Sequence, residues 1–150
     1  MDGRNWKKRI LALILPAFLM LFGLAAGAPQ ADAAKAAGGN NRLEVHFMDV
    51  GQGDATLIMT DGHAMLIDAG NNSKGTAVQN YLQKQGIKKL DYVIGTHPDA
   101  DHIGGLDVII YKFDCGEVLL PDYQKNTKTY DEVEDTLKAK SYRATHPAAG

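Results

Sequence analysis

The 150-residue chain has one cysteine, one tryptophan, five prolines and few aromatic residues overall. With Cys115 alone, no intrachain disulfide can form, so any stability must come from packing or from bound ions. Neither a collagen-like repeat nor a low-complexity composition is present, and no repeat appears at solenoid periods. There is also no excess of positive charge. Lys and Arg number 16 against 18 Asp and Glu, which excludes the strongly basic surface of a sequence-tolerant DNA binder. The charge is unevenly placed. Residues 34–150 carry 12 basic and 16 acidic side chains, a net −4 over a length suited to one small domain.

The one long hydrophobic run lies at the start. Arg4, Lys7, Lys8 and Arg9 precede an uncharged stretch, residues 10–28, dense in Leu and Ala and followed by small residues. That is the layout of a secretory signal peptide over residues 1–33. Two A-x-A sites are available, ending at Ala28 and Ala33. Pro29 would hinder the first cut, so cleavage is expected after Ala33. An uncleaved membrane anchor is the alternative, because the uncharged stretch approaches spanning length. Both readings place the rest of the chain outside the cytoplasm of a bacterium. Residues 34–41, small and polar, read as a linker.

Beyond it the pattern is α/β. Residues 43–48 alternate apolar and polar and predict a half-buried strand, and residues 55–60 predict a second. Asp61-Gly62 is a tight-turn signal, so residues 63–68 should pair back. Val78, Tyr81, Leu82 and Gln85 predict a helix stopped by Gly86. Residues 90–96 read as a buried strand, 105–111 as a short helix, 116–120 as a strand and 129–141 as an amphipathic helix. The expected sheet is mixed.

The chemistry is concentrated after the strand at 90–96. His97, Asp99, Asp101 and His102 fall within six residues, at the strand end where open α/β sheets build their sites. Pro98 keeps His97 extended, so His97 and Asp99 can point the same way. Gly104 and Gly105 let the backbone pass close by. Imidazole nitrogen plus carboxylate oxygen is a donor set for zinc, manganese or iron. A solvated turn with aspartate caps would explain the carboxylates but not the two histidines. Asp49, Gln52 and Asp54, in a glycine-rich loop, and Asp68, at the end of a strand, are candidates to hold the cluster in place.

The segments FMDVGQGDATLI, LIDAG and THPDADHIGGL together resemble the metallo-β-lactamase fold, and more narrowly its ComEC-like competence branch. The resemblance implies an α/β/β/α sandwich over residues 42–150, of which this chain would carry the first half, truncated at its carboxyl end. It implies two divalent ions, zinc or manganese, with His97 and Asp99 at one and Asp101 and His102 at the other. Asp99 stands where the wider fold has a second histidine, a change that favours manganese or magnesium over zinc. Asp101 would also handle the proton of the attacking water, and Asp68 would be the buried carboxylate behind the ligands. The implied activity is hydrolysis of nucleic-acid phosphodiesters outside the cell. The alternatives are a hydrolase of lactones or cell-surface phosphodiesters, or a fragment that only binds metal or a partner. Remaining ligands would come from beyond Gly150, since His146 lies among small residues with no acidic neighbour. The isolated 150 residues are therefore expected to be an inefficient enzyme. DNA or another phosphodiester substrate is the expected partner, and a membrane only if the first segment stays uncleaved.

Overall fold

A computed structural model describes residues 42–123 and 125–148. The expected signal peptide, residues 1–33, and linker, residues 34–41, lie outside the described residues. Along the chain come β1 (Glu44–Phe47), β2 (Thr56–Thr60), β3 (His63–Ile67), α1 (Gly75–Lys84), β4 (Lys89–Ile94), α2 (Ala100–Ile103), α3 (Leu106–Lys112), β5 (Asp114–Leu119), α4 (Lys128–Ala139) and β6 (Ala144–Thr145). The six strands form one mixed sheet in chain order. β1, β2 and β3 are antiparallel neighbours, and β3 to β6 run parallel.

Local chemistry accounts for the elements. The β2–β3 turn has Asp61 at φ 45° and Gly62 at φ 85°, the two positive values that a two-residue hairpin with right-handed twist requires. Helix α1 ends at Gly86, also in the left-handed region, where the Ile87 amide bonds back to the Leu82 carbonyl. Helix α4 starts at Thr127, whose hydroxyl accepts from the Tyr130 amide. Each parallel pair of strands needs a helical crossover. Successive crossovers of the same hand, running in one direction along the sheet, put every helix on the same face.

That face holds the core. Leu57, Leu66, Val93 and Val118 are neighbours across four strands, all buried. Leu82, Leu106, Ile109, Ile110, Val133 and Leu137 cover them. Burial also pushes the Cys115 thiol up to about 11. On the opposite face, Val45, Ile58, Met65 and Tyr92 form one row and Phe47, Thr56, Ile67, Ile94 and Leu119 another. No helix covers these rows among the described residues, and Phe47 is 83% exposed. The architecture is thus one helical layer on one sheet.

Two features lie beyond the local pattern. In β1 the polar residues, not the apolar ones, face the helices: His46 Nδ1 meets the Tyr81 hydroxyl at 2.7 Å while Val45 and Phe47 face outward. Alternation shows that a strand has two unlike faces, but the packing of α1 decides which is inward. The segment 100–103, between the strand read at 90–96 and the helix read at 105–111, is a one-turn helix that buries only Ile103, too short to show a period.

Asp91 clamps the start of the sheet. Its carboxylate accepts from the Ala64 amide at 3.1 Å and His63 Nδ1 at 3.0 Å, and Lys89 Nζ lies 3.2 Å away. These donors, the Ala64 amide first, hold the Asp91 carboxyl below its ordinary value. A carboxyl lowered on folding stabilises the fold above its unfolded value, and that contribution is lost as pH falls through the folded value. Asp91→Asn should therefore lower the thermal midpoint at neutral pH. The difference from wild type should close below the ordinary carboxylate range, about pH 4, as followed by circular dichroism. A constant difference across that range would show that Asp91 acts through shape alone.

Candidate metal centre

Three loops meet at the carboxyl edge of the parallel strands. The loop after β1 meets the loop after β3 through the Gly70 amide and Asp54 carbonyl. The loop after β3 meets the segment after β4 through Ala69 with His102 and through Gly105 with Gly70. The approach is close. A Cβ on Gly53 would fall on the Asp101 carbonyl oxygen, and one on Gly104 would run into the Ala100 carbonyl oxygen and the Asn72 amide nitrogen. Glycine is required at both positions by contact, whatever their backbone angles.

Asp68 sits beneath this junction, 2% exposed and at φ 57°, a left-handed conformation that aspartate tolerates. Its Oδ1 accepts from the Thr96 amide at 2.9 Å. Its Oδ2 accepts from the Thr96 hydroxyl at 2.6 Å and from His102 Nδ1 at 3.0 Å. The hydroxyl has one proton, which goes to Asp68, so toward His97 Nδ1, 3.0 Å away, it can only accept. In the neutral form, His97 and His102 would therefore each carry the proton on Nδ1 in this network and leave Nε2 to an ion.

The two rings lie together, centroids 3.9 Å apart. His97 Nε2 faces Asp99 Oδ2 at 4.0 Å, and His102 Nε2 faces Asp101 Oδ2 at 4.0 Å. Two donors on one ion at bond lengths of about 2.0–2.2 Å stand about 3–4 Å apart. Each nitrogen–oxygen pair thus has a spacing that could share an ion. Among the described residues no group of three or more His, Cys, Asp or Glu side chains converges on one point. The donor chemistry fits divalent ions held by pairs, with partners at both Nδ1 atoms that favour the ligating tautomer.

The supporting residues divide. The Gln52 amide donates to Asp101 Oδ2 at 3.4 Å, and Asp54 Oδ2 lies 3.6 Å from His102 Nδ1. Asp49 instead accepts from the Gly51 amide at 3.0 Å and shapes its own loop. His146 Nδ1 donates to the Leu120 carbonyl at 3.1 Å. Two residues escaped the sequence reading. Thr96, next to His97, could have been noticed as a hydroxyl beside an imidazole. Lys125, whose Nζ lies 2.5 Å from Asp99 Oδ1, is far away in the chain and in no motif. Its ammonium holds the Asp99 carboxyl below the ordinary carboxylate range, and Asp99 raises the lysine in turn.

A family model described as "Metallo-beta-lactamase superfamily" matches residues 48–148. "Recombination protein 2" of Haemophilus influenzae is 36% identical over 95 residues, 58% of this chain and 12% of that protein. "Competence protein ComA" of Neisseria gonorrhoeae is 30% identical over 108 residues, 66% of this chain and 15% of that one. "Exodeoxyribonuclease YycJ" of Bacillus anthracis is 33% identical over 85 residues, 57% of this chain and 30% of that one. The chain thus spans less than a third of the length of each of these relatives.

Asp68→Asn keeps the size and tolerates the same backbone angle, but one carboxylate oxygen becomes an amide donor. It should weaken divalent-ion affinity about 10–100-fold without deleting a ligand. Competition with a chromophoric chelator measures this, and unchanged affinity would reduce Asp68 to a structural cap.

Proposed function

The chain belongs to the metallo-β-lactamase superfamily, and on that premise we propose that it hydrolyses phosphodiester bonds of nucleic acid outside the cytoplasm. The observation that carries the reading is the pair of imidazoles, each with Nε2 facing a carboxylate, one held at Nδ1 by buried Asp68 directly and the other through Thr96. His97 with Asp99, and Asp101 with His102, would hold two divalent ions, zinc or manganese. Bound there, such ions supply Lewis acidity toward a water and a phosphoryl oxygen.

The chain's own residues have distinct tasks. Asp68 and Thr96 keep both imidazoles aimed and Nδ1-protonated. Gln52 restrains Asp101 through one carboxylate oxygen, leaving the other to take the proton of the attacking water. The glycines at 53, 104 and 105 keep side chains out of the junction, which leaves the cluster open at the sheet edge. Support for a nucleic-acid substrate comes from relatives named for competence and for exodeoxyribonuclease activity. The extracytoplasmic location rests on the cationic start and uncharged run of residues 4–28.

The test uses the gene product that carries this chain, with linear DNA, an aryl phosphodiester and an uncharged lactone as substrates. Phosphodiester cleavage should require manganese or zinc, stop with EDTA and return when the ion is restored. Asp101→Asn should lower turnover about 10²–10⁴-fold. Lactone hydrolysis without phosphodiester cleavage would overturn the substrate class, and turnover indifferent to EDTA would overturn the metal reading.

A further inference from the structure

The two donor pairs differ sharply in the charges around them. Around Asp101 and His102 no described cation makes a direct contact, and two carboxylates lie on His102. Asp68 lies on His102 Nδ1, Asp54 is 3.6 Å from the same atom, and a neutral amide from Gln52 touches Asp101. His102 is also the more enclosed imidazole, its side chain 16% exposed against 45% for His97. Around His97 and Asp99 the inventory reverses. Asp99 already has a cation, with Lys125 Nζ on Oδ1 while Oδ2 faces His97.

The base of that lysine is anchored. The Lys125 carbonyl accepts from the Thr127 amide at 2.8 Å, and Thr127 caps α4, which packs on α2 and α3. The ammonium is therefore delivered to the cluster by the start of a packed helix. We propose that Lys125 is a tethered cation that competes with a divalent ion for Asp99, so that the His97–Asp99 pair fills after the Asp101–His102 pair and more weakly. The inference rests on the metal reading above.

The physical reason is direct. An ion arriving between His97 and Asp99 must share the carboxylate with the ammonium or displace it. An ammonium and a dication about 5 Å apart repel enough, even in a water-like dielectric, to weaken binding about tenfold. The ammonium also acts on Asp101, but from further off and without a direct contact, while Asp68 and Asp54 lie on the His102 ring, so an ion between Asp101 and His102 meets weaker opposition. Ion occupancy at the first pair would then follow ion concentration over a range in which the second pair is already filled.

The experiment is a zinc titration of the metal-free gene product by calorimetry, with nitrogen-labelled histidine followed by NMR. Wild type should bind in two unequal steps, the His102 ring resonances moving in the first and those of His97 in the second. Lys125→Met should tighten the second step about tenfold or more and leave the first within about twofold. Lys125→Gln, which keeps a hydrogen-bond donor and loses the charge, should behave like the methionine variant, and Asp99→Asn should remove the second step. Lys125 is on a loop and partly exposed, and circular dichroism verifies the fold of each variant. If the methionine variant is misfolded, the glutamine variant carries the test. Equal steps in wild type, or a second step that is unchanged or weaker without the charge, would overturn the competition. Absence of ion binding in wild type and every variant alike would overturn the metal reading itself, and this inference with it.

Discussion

The buried carboxylate of Asp68 is the constraint on which the site's geometry depends. Three donors from two segments end on it: the Thr96 amide, the Thr96 hydroxyl and His102 Nδ1. A nearly fully buried carboxylate left without donors would carry a large desolvation cost, so the fold must bring those segments to it. Meeting that requirement has a chemical by-product. The hydroxyl proton is committed to Asp68, which leaves His97 no choice of tautomer, and His102 is set directly. One carboxylate, two hydrogen-bond steps deep, thus orients two imidazoles that are five residues apart in the chain.

The rest of the edge is arranged so that this network can be reached. Strands β1, β3 and β4 end at the same edge, and the loops that follow them are drawn into one junction by backbone hydrogen bonds. The junction tolerates almost no side-chain volume, as the contacts at Gly53 and Gly104 show. Rigid loops on a packed sheet are what a metal site needs, because ligands must be held near their final positions before the ion arrives. The charge pattern adds a second level of control. Carboxylates surround one donor pair, and an ammonium stands on the other. Two pairs of the same residue types in adjacent places need not have the same affinity.

The same sheet presents a very different second face. Rows of Ile, Met, Val, Phe and Tyr run across it without a covering layer among the described residues, while the net charge of residues 34–150 is negative. Apolar rows of this length on a sheet are normally packed against another layer.

Much of this was legible in the chain itself. Strand and helix positions followed from alternation, from the Asp61-Gly62 turn and from Gly86, because these depend on neighbours within a few residues. The cluster His97, Asp99, Asp101 and His102 was visible for the same reason, being six residues long. What distance in the chain separates, only the tertiary structure decided. The inward side of β1 depended on where α1 packs, so Val45 and Phe47 face out and His46 faces Tyr81. Asp49 and Gln52 looked alike in their loop, yet the loop's path turns Gln52 to Asp101 and leaves Asp49 on its own backbone. The ammonium of Lys125 reaches Asp99 across 26 residues, through the packing of α4 on the helices beside the site. No local pattern marks such a contact, since its energy arises only once the fold has brought the two charges together.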